Sequence, residues 1–384
     1  MKKIFWSFIA LIGVIQACRT PYDPEVPTSQ SSFLVVEGYL DSEGLRSELK
    51  LSRSAAVDSE SAFQPESGAL VTLMSASGET IGLPESESGT YIFESDISED
   101  QTYTLEIVLQ NGQRYQSTPM KPILTPEIID AGYQLDEEGV EIYISTQGDE
   151  TADDFLWTFE ETWIYRPRIR LGYIYDPIIE NVRDRTEAEQ IELCFKTEPS
   201  PDILLETSSR FEEQVVFRQT ITEIPKGDER IMERYSILVS QKAIEEDAVR
   251  FWEILKKNTE DIGSIFSPLP SLITGNILRM DGGDTPVVGQ VSIGVVRQTR
   301  LYINLVDVSP WNYLDPEFND CVIGQEVVMT NAYAGVFGSG GTLPARAYIP
   351  EGGTTVIGYF PASRRCADCT LYASSIKPDF WEDE

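Results

Sequence analysis

Short runs of apolar residues dominate the first third of the chain and predict β-strands. Each run is rich in β-branched and aromatic residues and is bounded by Gly, Ser, Pro or Asp clusters. The runs are Phe33 to Leu40, Ala69 to Ala76, Gly89 to Phe93 and Thr102 to Gln110. Asn111-Gly112, which follows the last run, is typical of a two-residue hairpin turn. Residues 33–118 therefore predict a small β-sandwich of Ig-like topology, although the Cys and Trp marks of immunoglobulin domains are missing.

A second β-rich region follows a proline-punctuated junction at residues 119–126, which contains Pro119, Pro122 and Pro126. It covers residues 127–381. Ile128 to Ile144 predicts a hairpin that turns at Asp136 to Gly139, and Phe155 to Tyr165 predicts an aromatic strand. Further strands are predicted at Gln214 to Thr222, Tyr235 to Val239, Val287 to Val296, Leu301 to Val306 and Thr354 to Phe360. The predicted fold class is thus mainly β, with two β-sandwich-like domains.

One long helix is predicted within the second region, over residues 240–258. Ser240 is a suitable N-cap, and Lys256 and Lys257 lie at the end where the helix dipole favours cations. The apolar residues fall on one face at helical spacing, which favours a helix packed on a sheet. They are Ile244, Ala248, Phe251, Trp252 and Leu255.

Two loops after this helix carry ambiguous patterns. Residues 263–277 contain two prolines and are too apolar to lie free in water, so they either pack on the core or face a partner. The sequence does not decide between these alternatives. Asp281 to Asp284 offers oxygen ligands, but their spacing is not that of known calcium loops, and a solvated turn is favoured.

The first residues are typical of a bacterial lipoprotein. Lys2 and Lys3 precede an apolar run that is too short to span a bilayer comfortably, and the run ends in Ile15-Gln-Ala-Cys18. Residues 1–17 are therefore expected to form a signal peptide, with lipid attached to Cys18. Residues 18–32 are rich in Pro and small polar residues, as an extended tether would be. The expected location is the outer membrane, with exposure at the cell surface left open.

Charge and composition exclude several function classes. With 30 basic and 63 acidic residues and a net charge of -33, the chain is expected to repel nucleic acid. The absence of histidine removes the usual zinc ligand and the Ser-His and Cys-His nucleophile pairs. There is also no phosphate-binding glycine loop and no nucleophile elbow. We expect neither a cofactor nor a metal, and no enzyme activity.

Four cysteines remain when Cys18 is assigned to lipid, and an even number in an oxidising compartment predicts two disulfides. A tight turn at Ala367-Asp368 would bring Cys366 and Cys369 close enough to bond. The predicted pairs are Cys366 with Cys369 and Cys194 with Cys321. A redox or metal-binding C-x-x-C is the alternative, but the chain lacks a second such motif and a thioredoxin-like context.

Several segments in order resemble the Bacteroidota lipoproteins that carry the domain of unknown function 4249. They are Tyr22-Asp-Pro24, Leu34-Val-Val-Glu-Gly38, Leu51-Ser-Arg-Ser54, Gly263-Ser-Ile-Phe266, Gly275-Asn-Ile277, Cys366-Ala-Asp-Cys369 and Lys377-Pro-Asp-Phe-Trp381. The resemblance implies no catalytic residues. It implies an outer-membrane lipoprotein that assists a TonB-dependent transporter in nutrient uptake.

Two other functions fit parts of the sequence. A structural or adhesive envelope protein would use the same anchor and β-domains. A carboxylate-dependent glycoside hydrolase needs two acidic residues about 5 to 10 Å apart and no histidine. Glu160 and Glu161, between Trp157 and Trp163, are the most suggestive pair, but neighbours on a strand face opposite sides and cannot converge.

Overall fold

The computed structural model describes residues 33–54, 63–260, 275–283, 285, 287–313 and 317–383. The predicted signal peptide, Cys18, the tether and most of the apolar loop 263–277 lie outside these residues. The described part is mainly β-strand, which confirms the predicted fold class. None of its helices is long and apolar enough to cross a membrane.

The first sandwich consists of two sheets whose alternate residues point into a shared core. One sheet has the order β20-β1-β2-β7-β6 with β3 beside β2, and the other has the order β19-β9-β8-β4-β5. Their bounds are β1 Leu34–Asp41, β2 Ser47–Ser54, β3 Phe63–Pro65, β4 Leu70–Ser75, β5 Thr80–Leu83, β6 Glu85–Glu87, β7 Thr90–Phe93, β8 Tyr103–Val108, β9 Arg114–Ser117, β19 Ile277–Arg279 and β20 Val287–Gly294. Leu49, Leu73 and Leu105 are fully buried between the sheets. The hairpin predicted at Asn111-Gly112 does join β8 to β9, but the predicted two-residue turn is wrong. The amide of Leu109 donates to the carbonyl of Gln113 and the amide of Gly112 to that of Leu109, so residues 110–112 form a three-residue loop in which Gly112 has a positive φ of 85°.

The predicted boundary between the domains is wrong for β19 and β20. Both strands were assigned to the second domain, yet β19 pairs with β9 and β20 pairs in parallel with β1. Without β20, β1 would have β2 as its one neighbour and would be an open edge of the sheet. Residues 33–118 therefore form a sandwich that is completed by strands from far along the chain.

The second sandwich packs a five-stranded sheet on a three-stranded one. The larger sheet has the order β15-β12-β18-β21 with β16 beside β12, and the smaller has the order β10-β11-β17. Their bounds are β10 Ile128–Leu135, β11 Gly139–Gln147, β12 Asp154–Tyr165, β15 Cys194–Pro199, β16 Leu204–Thr207, β17 Val215–Pro225, β18 Arg234–Ala243 and β21 Val296–Asn304. The predicted hairpin at Asp136 to Gly139 and the aromatic strand from Phe155 are confirmed. Trp157, Trp163 and Tyr235 fill the core.

A smaller β-subregion follows at the edge of the second sandwich. It contains the hairpin of β13 and β14 and the sheet β22-β24-β23. The bounds are β13 Tyr173–Asp176, β14 Asn181–Asp184, β22 Val328–Met329, β23 Thr342–Tyr348, β24 Gly358–Ser363 and the short helix α2 Tyr333–Phe337. Tyr173, Tyr333 and Tyr359 form its aromatic centre.

The long helix begins later than predicted. It is α1, Glu246–Glu260, whereas Ser240 to Ala243 continue strand β18. Ser240 pairs with Thr158 of β12 and so is not an N-cap. The apolar face is confirmed, since Ala248 and Phe251 are buried.

All four predicted disulfide cysteines are bonded, but the predicted pairs are wrong. The bonds join Cys194 to Cys369 and Cys321 to Cys366. Cys366 and Cys369 lie in successive helical turns and face different clusters: Cys369 packs with Cys194 and Tyr165, whereas Cys366 packs with Cys321. The short spacing between Cys366 and Cys369 therefore does not bring their side chains together.

Candidate ligand-binding cleft

A cleft lies between the two sandwiches, and its walls are the outer faces of their sheets. Its volume is about 500 Å³, which is within the range of small-molecule sites. One wall comes from β1, β2 and β20, and the opposite wall comes from β12, β18 and β21, with α1 at one end. The side chains that matter most are Tyr39, Thr158, Ser240, Lys242, Trp252 and Gln298.

Strand periodicity explains why the second wall is polar. Trp157 of β12 points into the core, so its neighbours Leu156 and Thr158 point outwards. The register of β18 places Lys242 opposite Leu156 and Ser240 opposite Thr158. On this outward face, the Lys242 ammonium group therefore lies between the hydroxyls of Thr158 and Ser240 and the aliphatic side chain of Leu156.

Hydrogen bonds between the sandwiches hold the two walls in place. Tyr39 Oη donates to the carbonyl oxygen of Ala243 at 3.0 Å, and the amide of Val296 donates to the Asp41 carboxylate at 2.7 Å. The amide of Ala243 donates to Thr125 Oγ1 of the junction at 2.8 Å. Burial raises the pKa of Tyr39 above its ordinary value, so its hydroxyl remains a donor. The cleft is therefore preformed.

Lys242 is the most buried charged group of this cleft, whose exposed rim also carries Glu37, Arg46, Glu48 and Lys50. Its Nζ donates to Thr158 Oγ1 at 3.2 Å and lies 5.8 Å from the centre of the Tyr39 ring. None of the described carboxylates forms an ion pair with it, and burial lowers its pKa to about 8. Lysine with a lowered pKa in a cleft is a recognised mark of a functional site.

The end of the cleft near α1 is apolar. Tyr39, Leu156, Ile244 and Ala248 form a buried cluster, and Trp252 packs against it while partly exposed. The ring of Trp252 meets Phe251 edge to face at 5.4 Å. The cleft therefore combines one buried cationic group with an aromatic and aliphatic surface, an arrangement that suits an amphipathic small molecule.

A second cavity, of about 720 Å³, lies beside the junction and is acidic. Burial raises the pKa of Asp154 and of Glu245 in its wall. The acidic side chains around it are Glu99, Asp100, Asp153, Asp154, Glu245 and Glu246. Within the described ranges, no group of three or more Cys, Asp or Glu is arranged to hold a metal ion.

The acidic pair considered for glycoside hydrolysis does not converge. Glu161 is buried on the core side, where its carboxylate accepts from Tyr235 Oη at 2.7 Å and pairs with Arg230 at 2.9 Å. Glu160 lies on the opposite face of β12, where it pairs with Leu238 of β18. Trp157 and Trp163, the proposed sugar-stacking rings, are buried in the core. The prediction that the two carboxylates face opposite sides is confirmed.

The turn from Asp281 to Asp284, considered for calcium, is described only in part. Asp281 forms an ion pair with Arg279, while Asp284 lies outside the described residues.

Lys242 was not found from the sequence, because the helix was predicted to start at Ser240 and Lys242 was counted in its first turn. Strand alternation from Tyr235 to Ala243 would have placed it on an outer face.

Comparisons with known proteins identify a family but no activity. No curated protein matches the chain. Among solved structures, it is similar to a two fibronectin type-III domain segment from chicken tenascin, at 13% sequence identity and a TM-score of 0.16, over 56% of this chain and 92% of that chain. Nothing about function follows from that likeness. The family described as "Domain of unknown function (DUF4249)" matches residues 19–300, which is most of the chain. The chain therefore belongs to the DUF4249 family.

Proposed function

We propose that this chain is a lipid-anchored, non-catalytic binding protein of the outer membrane that holds a small ligand in its inter-sandwich cleft and assists a TonB-dependent transporter. The observation that carries the proposal is the cleft itself, a preformed cavity with a desolvated lysine. The location rests on the cysteines and the N-terminal sequence, and the transporter partnership rests on the family resemblance.

Cysteine usage supports an extracytoplasmic, anchored protein. Four of the five cysteines form disulfides, and such bonds persist in oxidising compartments. Cys18 is the cysteine left over, and it follows an apolar segment of signal-peptide length. A thiol with no disulfide partner at that position is what lipid attachment requires.

The anchor is tested by metabolic labelling with an alkyne fatty acid. The wild-type chain should incorporate the label and sediment with membranes, whereas Cys18→Ser should incorporate none and remain folded. Equal labelling of the two chains would contradict the proposed anchor.

The partnership is tested by mild detergent extraction of the tagged full chain. We expect an outer-membrane transporter to co-purify with the wild type and to be lost with Cys18→Ser, because anchoring confines both proteins to one surface and raises their effective concentration. Reproducible absence of a transporter would refute the partnership and favour the structural or adhesive alternative.

A further inference from the structure

We propose that the cleft selects a small ligand with a single negative charge, a monocarboxylate with an apolar body, whose carboxylate contacts Lys242 Nζ. The inference rests on the proposed function, because it assumes that the cleft is the binding site. It adds the chemical class of the ligand and the residue that recognises it.

The first step is that the charge of Lys242 lacks a counter-charge among the described residues. Acidic residues outnumber basic ones by 63 to 30, and several partly buried cations of the described chain have carboxylate partners, as Arg166 has Glu233 and Arg230 has Glu161. Among the described residues, the Lys242 ammonium group instead donates to the neutral Thr158 hydroxyl. A desolvated charge without a partner is unfavourable, and an anionic ligand group would supply the partner.

The second step limits the ligand to one charge. Lysine offers a single point charge, whereas phosphate groups are usually bound by several convergent donors or by arginine. The opposite wall carries Glu37 and Glu48 together with Arg46 and Lys50, so it adds no net positive charge that would favour a second anionic group. Ser240 and Gln298, already bonded to each other at 2.9 Å, lie beside Lys242 as neutral hydrogen-bonding groups. A monoanion is therefore favoured over a polyanion.

The third step concerns the rest of the ligand. Trp252, which is partly exposed, lies over the buried side chains of Tyr39, Leu156 and Ile244 and forms with them the apolar end of the cleft that also contains Lys242. Because apolar surface binds apolar surface, the ligand should carry a hydrocarbon or aromatic portion adjacent to its carboxylate. Acetate alone would leave this end unfilled.

The test is calorimetric titration of the purified full chain in detergent with three monocarboxylates of increasing size: propionate, benzoate and 3-phenylpropionate. Each is compared with its neutral amide, and inorganic phosphate serves as the anion control. At pH 7 we expect 3-phenylpropionate to bind most tightly, and its amide and phosphate to bind at least about tenfold more weakly, as for loss of a charge-assisted hydrogen bond.

Variants of Lys242 make the assignment specific. Lys242→Met should weaken binding of 3-phenylpropionate at least about tenfold, while Lys50→Met, at the exposed rim of the same cleft, should change it little. Wild-type affinity should fall as the pH rises above 8, where Lys242 loses its proton. Lys242→Arg should bind with no such fall, because arginine remains charged. The other titratable groups that face the cleft are Glu37, Tyr39, Arg46, Glu48 and Lys50, and all of them are retained in this variant.

Two results would overturn the proposal. One is binding of none of the three carboxylates, and the other is equal binding of acid and amide or of wild type and Lys242→Met. Co-purification of a transporter together with either result would leave the proposed partnership standing and remove only the ligand class. Carboxylate binding without a transporter would remove only the partnership.

Discussion

Lys242→Met should stabilise the protein at neutral pH. Methionine keeps the unbranched stem that packs beside Tyr39 and Leu156 but removes a charge that no described carboxylate compensates. The backbone of residue 242 remains paired within β18 in either case. The substitution therefore isolates the free-energy cost of the ammonium group.

The size of the effect follows from the pKa. Burial lowers the pKa of Lys242 from 10.5 to about 8, which corresponds to about 3 kcal/mol against the charged form at about 1.4 kcal/mol per pKa unit. Because the side chain keeps some contact with water in the cleft, we expect a gain of about 2 kcal/mol in the free energy of unfolding.

The pH dependence gives the sign of this effect. Below pH 8 the lysine is charged in both the folded and unfolded chains, so the full cost is present. Between pH 8 and 10.5 the unfolded chain binds more protons than the folded chain, so wild-type stability gains on that of the variant as the pH rises. The advantage of Lys242→Met should therefore shrink across this window.

The measurement is urea unfolding followed by tryptophan fluorescence at pH 7, 8, 9 and 10. Lys50→Met is the matched control: its side chain is 61% exposed, and we expect a change within about 0.5 kcal/mol. A Lys242→Met chain that is no more stable than wild type at pH 7 would refute the reasoning. So would a stabilisation that is unchanged at pH 10.

Two further predictions concern the scaffold. Glu161→Gln should lower the free energy of unfolding by about 2 kcal/mol, because it removes the charge from a buried, hydrogen-bonded ion pair, whereas Glu160→Gln on the outer face should change it by less than about 0.5 kcal/mol; equal effects in denaturant titrations would contradict the assigned faces. Replacing Cys194 and Cys369 by alanine should cost about 1 kcal/mol more than removing the other bridge, since it opens 175 rather than 45 residues of sequence separation. The reverse order in parallel unfolding curves would contradict this entropic account.

Local patterns predicted the strands and turns well. The hairpins at Asn111-Gly112 and at Asp136 depend on residues within a few positions of each other, so the local sequence located both turns. The length of the first loop, three residues where two were predicted, is the part that it missed. The Asp136 carboxylate accepts from the amides of Glu138 and Gly139 at 2.8 and 2.9 Å, a bond that a short segment can form alone. Such elements do not require knowledge of the rest of the fold.

The pairing of strands and of cysteines that are far apart in the chain could not be predicted from the sequence. The parallel match of β20 to β1 joins segments more than 250 positions apart, and hydrophobic periodicity does not identify a strand's neighbour. The disulfides are also non-local. Sequence spacing led to the prediction that Cys366 bonds its nearest cysteine, whereas tertiary packing joins cysteines that are far apart in the chain. The family resemblance rested on the order of short segments along the chain and carried no information about which segments are in contact.

The misplaced start of the helix has a specific cause. Gln241 is fully buried and bonds Trp157 Nε1 and Thr146 Oγ1, both at 2.9 Å. A polar residue at an inward position breaks the apolar alternation that marks a strand, so Ser240 was interpreted as a helix cap. The same misreading hid Lys242, because a lysine in the first turn of a surface helix would be unremarkable.

We infer from the position of Lys242 that its charge serves ligand binding in the cleft and is not needed for folding. The strand needs only the backbone at this position, and an apolar side chain would pack against Tyr39 and Leu156 without the cost of a desolvated ammonium. Several other partly buried cations, such as Arg166 and Arg230, have carboxylate partners. A destabilising group that remains unpaired in a preformed cavity is the pattern expected where stability is given up for binding. The same side chain should therefore be unfavourable for the empty protein and favourable for the complex, so Lys242→Met should move stability and affinity in opposite directions.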